Sequence, residues 1–224
     1  MTLIVPPPWM LTGNGLILLY RFPRAFAEPW LPPELRQAFL GGIGAVMCVD
    51  YHSANCGPYR ELLFVPGAFR LGGRIFFNVS TIYVSTEVSV QSGRANWGIP
   101  KQLADFEVAP GLRQFTASRD GVPFFRAAVR GHGPFFPANT AWSPAQPALV
   151  QPWAGKWLRT RPGGRGAVQL AGVEQIEING AHFPDIGQLR PLAALRAHGF
   201  ELRFPFAAPL TMNEFTPNHI TAKT

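Results

Sequence analysis

The chain reads as a mainly β protein, a single antiparallel domain over residues 1–224 with two or three short helices (an α+β minority). Three observations predict this. Gly and Pro number 23 each and are spread along all 224 residues, so turns recur between short segments. Arg74–Val84 is dense in β-branched and aromatic residues. Phe200–Phe206 alternates apolar and polar residues at period two as far as Pro205. All-β domains often run to this length, and no internal repeat or linker divides the chain.

Taken in order, Leu16–Phe22 is a compact apolar run and reads as a strand, preceded by an irregular segment 1–15. Pro23–Phe39 carries four prolines, so any helix there is short. Ala45–His52 reads as a buried strand, Gly57-Pro58 as a turn and Tyr59–Val65 as renewed extended structure. Gly72-Gly73 turns the chain into Arg74–Val84, taken as one strand. In Ser85–Asn96 the pattern changes. Ser85 or Thr86 can cap a helix and Glu87 favours its positive end, while Ser89, Val90 and Gly93 weaken it. Gly98 ends that helix and Pro100 biases Ile99 towards extended geometry.

Leu103–Val108, Gln114–Arg119 and Pro123–Arg130 follow as strands, the last two joined by a hairpin at Asp120-Gly121. Phe135–Trp153 reads as an irregular excursion rich in Pro, Ala and Trp. Ala167–Leu170 and Gly172–Ile178 are strands, and Leu189–Ala197 is a short helix starting near Pro191. Segment 208–224 is irregular and frayed at its end.

Composition narrows the function classes. The net charge is +7 and the pI about 10.1, a balance that can mark nucleic-acid binders. The arginines are scattered, however. Their densest group, Arg159, Arg161 and Arg165, reads as a solvated hairpin tip with no aromatic stacking pattern beside it. We therefore expect no nucleic-acid partner. Positive potential can still draw in an anionic small molecule. Cys48 and Cys56 form no disulfide framework, and the histidines have no metal-ligand spacing, so no metal is expected. No apolar run reaches the ~20 residues of a membrane span and the N-terminus lacks a signal-peptide pattern, so a cytoplasmic protein is expected. Hydrophobic residues at 47% against 15% charged predict a large core and subunit interfaces, hence a homo-oligomer.

The chain has 17 arginines and three lysines: Lys101, Lys156 and Lys223. Arginine stays protonated, whereas a desolvated lysine can lose its proton and attack a carbonyl carbon. Lys101 lies between Pro100 and an apolar run. Two readings stand at this point: a buried amine, or a surface lysine in a turn.

Four elements occur in order: Gly57-Pro58-Tyr59-Arg60-Glu61, a strand ending Tyr83-Val84, Ser92-Gly93-Arg94, and Trp97-Gly98-Ile99-Pro100-Lys101-Gln102-Leu103-Ala104. Together they resemble the acetoacetate decarboxylase superfamily, most clearly over Ala45–Phe106. The resemblance implies a cone-shaped or clam-like antiparallel β barrel around an apolar cavity. It also implies a lyase without cofactor, acting on a small oxo acid or ketone through a Schiff base on Lys101. Activation of that lysine by desolvation or a neighbouring cation is an established property of the family, not something read from this chain. Glu61 matches the family's cavity glutamate, as an acid/base or as a structural ion pair, for example with Arg94. Tyr59, Arg94, Trp97, Ile99 and Gln102 become candidate substrate contacts.

The departures from the family pattern are specific. A second lysine follows the nucleophile in the decarboxylase, and here that position is Gln102. Met10–Leu19 contains no arginine, and Val46 stands where a second acidic residue is expected. The amine chemistry is thus expected without a commitment to acetoacetate as substrate. The alternative is a catalytically silent β barrel that binds an apolar or carboxylate small molecule.

Overall fold

The structure is a computed structural model describing residues 3–142 and 148–210. Its strands in chain order are β1 (Trp9–Arg21), β2 (Phe39–Gly41), β3 (Ile43–Ser53), β4 (Tyr59–Val65), β5 (Ala68–Leu71), β6 (Arg74–Phe77), β7 (Thr81–Val84) and β8 (Lys101–Leu103). There follow β9 (Asp105–Val108), β10 (Gln114–Arg119), β11 (Val122–Asn139), β12 (Leu149–Trp153), β13 (Lys156–Thr160), β14 (Gly163–Ile178), β15 (Ala193–Phe204) and β16 (Ala208–Leu210). The two α-helices are α1 (Arg24–Ala27), a single turn, and α2 (Glu87–Trp97). None among the described residues is long and apolar enough to cross a membrane.

Ten strands form one sheet in the order β8-β7-β4-β3-β1-β15-β14-β11-β10-β9. Its two edge strands, β8 and β9, are consecutive in the chain and separated only by Ala104. The chain therefore links one edge of the sheet to the other and makes it a nearly closed barrel. Pairing is antiparallel throughout this sheet except between β7 and β8, which run parallel with Ile82 opposite Lys101. A smaller sheet has the order β16-β13-β12-β6-β5-β2.

The alternation along β1 explains how one sheet serves two cores. Leu16, Leu18 and Tyr20 point to the larger cluster, with Val46, Leu62, Phe64, Phe115 and Phe125. Trp9 and Leu11 point the other way, with Val49, Tyr51, Tyr59, Leu63 and Trp97. Leu16 and Leu18 are wholly buried, and burial of each such side chain is worth about 1.5–3 kcal/mol. The second face, unlike the first, is not filled, and a cavity lies there.

Several expectations are corrected. The segment Leu189–Ala197 is not a helix: Ala193–Ala197 belongs to β15, where β1 and β14 take up its backbone bonds on both sides. That pairing outweighs the helix preference of its alanines and leucine. Arg74–Val84 is not one strand. It breaks at Asn78, so that β6 joins the smaller sheet and β7 the larger. Part of Phe135–Trp153 is regular, since β11 runs on to Asn139 against β14 and β12 begins at Leu149; residues 143–147 lie outside the described residues. Regular structure starts at Trp9, inside the segment taken as irregular. At the other end Ala208–Leu210 is a strand against β13, and the frayed end expected beyond it lies outside the described residues. Arg159, Arg161 and Arg165 sit on a crossing from β13 in one sheet to β14 in the other, not on a hairpin tip. The Asp120-Gly121 hairpin is present, with positive φ at both residues as its turn requires.

Asn78 is fully buried, and its amide donates to the Val150 carbonyl and to Gln151 Oε1, both at 2.8 Å. Ser80 Oγ donates to Asn78 Oδ1 at 2.8 Å. This side chain ties β7 and β12 together where the chain changes sheets. Asn78→Ala strands these partners, and we expect it to lower unfolding stability by about 1–3 kcal/mol, read from the denaturant midpoint at unchanged slope.

Candidate active site

The site is built from the inner face of β4, the helix α2 and the first residue of β8. Tyr59 and Glu61 are two apart on β4, so both point to the unfilled face, and Tyr51 on β3 lies opposite Tyr59. The helix α2 starts where Thr86 Oγ1 accepts from the Ser89 amide, with Glu87 in the first turn. It ends at Gly98, whose φ of 66° suits glycine. The chain then tightens around Pro100, the Lys101 amide donating to the Ile99 carbonyl at 2.8 Å, a γ-turn that the fixed φ of proline favours. This turn delivers Lys101 as the first residue of β8, its side chain pointing under the helix.

Lys101 is buried, which decides between the two sequence readings: its side chain is 4% exposed. Its Nζ lies 3.0 Å from Glu61 Oε2 and 3.0 Å from Ser89 Oγ, with Tyr59 Oη at 3.4 Å. The amine also sits 4.9 Å from the centre of the Tyr59 ring and 5.8 Å from that of Trp9, a cation–π arrangement. Glu61 accepts from Tyr51 Oη at 3.3 Å and from Tyr59 Oη at 3.4 Å. Each carboxylate oxygen thus has a phenol donor, and one also faces the ammonium.

Helix α2 fits the lysine closely. Ser89 and Gly93 are one turn apart on the same face. A Cβ at Gly93 would stand 2.5 Å from Lys101 Cδ and 2.8 Å from Cε, so only glycine leaves room for the aliphatic stem. Arg94 is not the partner of Glu61. Its Nε donates to the Lys101 carbonyl at 2.8 Å and so holds the backbone of β8. The N-terminal segment is strapped to the same helix, with the Val5 amide donating to Ser92 Oγ and the Val5 carbonyl accepting from Asn96 and Trp9.

These groups open into a cavity of about 720 Å³. Tyr59, Trp97 and Ile99 line it, together with Glu61 and Lys101. Arg94 and Gln102 are absent from the lining, so two of the expected substrate contacts stand outside the cavity. Gln102 follows Lys101 in the strand and therefore points to the opposite face. Three residues near the amine were not foreseen: Ser89, Tyr51 and Trp9. Ser89 had a usable signal in its four-residue spacing from Gly93, and Tyr51 in its alternation with Val49. Trp9 had none, because its position depends on the long-range pairing of β1.

Burial holds Tyr51 and Tyr59 well above the ordinary tyrosine value of 10.0, and the charge of Glu61 adds to the effect. Burial also raises Tyr20 to about 12, and raises Tyr83. These four are all the tyrosines of the chain. Their raised folded values favour the folded state fully below pH ~10, and that contribution is lost as pH rises from there through the folded values. Phenolate absorbance should therefore show no step near pH 10 while the fold persists; ionisation should coincide with alkaline unfolding. Gly93→Ala should displace the lysine stem from beneath α2 and lower unfolding stability by about 1–3 kcal/mol, read from the denaturant midpoint.

The model of the acetoacetate decarboxylase (ADC) family matches residues 2–146, more than half of the chain. No curated protein sequence matches. Among solved structures, the enduracididine biosynthesis enzyme MppR complexed with pyruvate superposes with a TM-score of 0.68 at 17% identity, covering 93% of this chain and 92% of that one. Acetoacetate decarboxylase from Legionella pneumophila subsp. pneumophila str. Philadelphia 1 gives 0.65 at 12% identity, covering 92% and 88%. An acetoacetate decarboxylase-like enzyme from Sphingomonas wittichii RW1 gives 0.65 at 14%, covering 94% of each chain. The likeness to these structures carries the fold, and the family match carries the membership: the chain belongs to the acetoacetate decarboxylase family.

Proposed function

We propose that the protein is a Schiff-base enzyme, a lyase in which Lys101 forms an imine with a small-molecule carbonyl substrate. The observation that carries this reading is a single lysine amine, buried at an apolar cavity and held 3.0 Å from both a carboxylate and a hydroxyl. Glu61 takes the ammonium proton, and the Nζ lone pair then adds to the carbonyl carbon. The C=O electron pair moves to oxygen, which collects a proton from Glu61. Glu61 next takes a second proton from the carbinolamine nitrogen and gives it to the hydroxyl, which leaves as water while the nitrogen lone pair forms the C=N bond; the protonated imine then accepts the electron pair released when a bond to the α carbon breaks. The enamine so formed is protonated at carbon, and hydrolysis returns the free amine. The iminium is itself the electron sink, so the chemistry needs no cofactor.

Under this reading Glu61 is the acid/base. Tyr51 and Tyr59 keep its carboxylate in place and remain donors at neutral pH, because their hydroxyl protons are held more tightly than usual. Ser89 orients the amine, and Trp97 and Ile99 shape the wall beside it. The pyruvate held by MppR, and the condensation product of pyruvate and imidazole 4-carboxaldehyde held in another of its structures, support carbonyl compounds as the substrate class.

Borohydride reduction in the presence of a carbonyl panel tests the proposal. The panel contains acetoacetate, pyruvate and simple ketones. Peptide mapping should find the reduced adduct on Lys101. It should vanish in Lys101→Met and in the charge-balanced double variant Lys101→Met with Glu61→Gln, which keeps the comparison meaningful if the single variant fails to fold. Glu61→Gln alone should slow turnover about 10²–10⁴-fold. Absence of any adduct on Lys101 in the folded protein would leave a silent binding module as the function.

A further inference from the structure

We infer that the substrate is a β-oxo acid with a long hydrocarbon chain on its keto carbon, the chain lying along an apolar wall that leads away from Lys101. The inference rests on the imine-forming role of Lys101 and names the body of the molecule on which that role acts.

The first observation is the wall itself. Tyr51, Tyr59 and Glu61, the polar groups near the amine, occupy one end of the β3–β4 surface. From there the inward positions are Leu63 and Val65 on β4 and Met47 and Ala45 on β3, with Ile17 and Leu19 beside them on β1. The wall thus stays apolar for about 13 Å along β4 beyond Glu61, at ~3.3 Å per residue. Met47, Ile17 and Leu19 are only partly buried by the protein itself, so they keep apolar surface that a hydrocarbon chain would cover. The cavity, about 720 Å³, falls in the ~300–1,000 Å³ range that encloses a ligand of drug size, and a four-carbon oxo acid fills only a small part of it.

The second observation is where charge can be held. Among the described residues, the cations lining the cavity are Lys101 and Arg165, and each is already paired, with Glu61 at 3.0 Å and with Glu201 at 2.7 Å. A short oxo acid therefore finds little to hold it on arrival, and a chain leaving water for the wall supplies that first affinity. Once the imine has formed, its positive charge stands beside the reacting carbon and is the partner of the substrate carboxylate. A carboxylate on the α carbon fits this electron sink. The Cα–carboxyl bond breaks, its electron pair moves through the α carbon to the C=N bond, CO₂ leaves and a neutral enamine remains. The charges of imine and carboxylate cancel in this step, which apolar surroundings favour. The α carbon then takes one proton, delivered from solvent through Glu61, and hydrolysis frees a methyl ketone and the amine. An α-oxo acid forms the same imine, but its carboxylate is on the imine carbon itself, and the electrons of that bond cannot enter C=N.

β-Oxo acids of four, eight and twelve carbons provide the test, with ketone release measured above the spontaneous rate and the imine trapped separately with borohydride. We expect kcat/KM to rise about two- to fourfold per methylene between four and eight carbons, the scale of apolar transfer, and to stay high at twelve. Leu19→Trp and Ala45→Phe each fill the far end of the wall. In whichever of them folds, the ratio of twelve-carbon to four-carbon kcat/KM should fall at least tenfold. A twelve-carbon α-oxo acid should be trapped on Lys101 and release no CO₂. A kcat/KM that is flat or falls with length, with adducts still formed on Lys101, overturns the long chain and leaves the imine intact. Adducts without ketone release from any β-oxo acid overturn the placement of the carboxylate. Quenching of tryptophan fluorescence by the same acids, read without borohydride, separates the two proposals. Binding that tightens with length but gives no adduct refutes the imine, and with it the reaction.

Discussion

The structure of the site depends on one buried ion pair. Lys101 and Glu61 are nearly excluded from water, and removing either would leave a charge without compensation, a loss of about 3–5 kcal/mol. Everything near them answers that demand. Two phenols donate to the carboxylate, a serine hydroxyl and two aromatic faces surround the ammonium, and the other charged side chains lining the cavity among the described residues, Arg165 and Glu201, pair with each other. Such a pair contributes little net stability. What it does is fix where β4, β8 and α2 lie relative to each other, and so where the amine points.

Helix α2 is the piece that makes the pairing possible. It is short and capped at both ends. Ser89 and Gly93 present one hydroxyl and one gap to the lysine, while Arg94 grips the lysine's own carbonyl. Trp97 packs edge-on against Trp9 and Phe204 and donates to the Pro205 carbonyl. The helix that looked weak in sequence is therefore held by tertiary contacts rather than by its propensity. The same residues that lower its intrinsic helicity, a serine and a glycine, are the ones the amine requires.

Legibility followed the range of the interactions. Strands with their own pattern were readable: Gln114–Arg119 because burial on one face leaves an alternation, and Tyr59–Val65 because burial of nearly every position leaves an apolar run. The Gly98 stop and the Asp120-Gly121 turn were readable from backbone chemistry. Leu189–Ala197 was not, since its alanines and leucines favour a helix and only pairing with β1 and β14 decides otherwise. The break at Asn78 was hidden for the same reason: a lone polar residue inside an apolar run shows its purpose only when β12 arrives beside it. At the site, the lysine and the glutamate came from residue type and motif order. Ser89, Tyr51 and Trp9 reach the amine through folding, as did the exclusion of Gln102 and Arg94 from the cavity.

The joint at Ala104 gives the barrel an unusual property. Here the buried amine of Lys101 sits on β8, the three-residue edge strand that this joint ties to the opposite edge, β9. Because β8 is hydrogen-bonded to β7 on one side only, slackening at Ala104 would move the strand that carries the amine, and closure of the ring and placement of Lys101 are coupled.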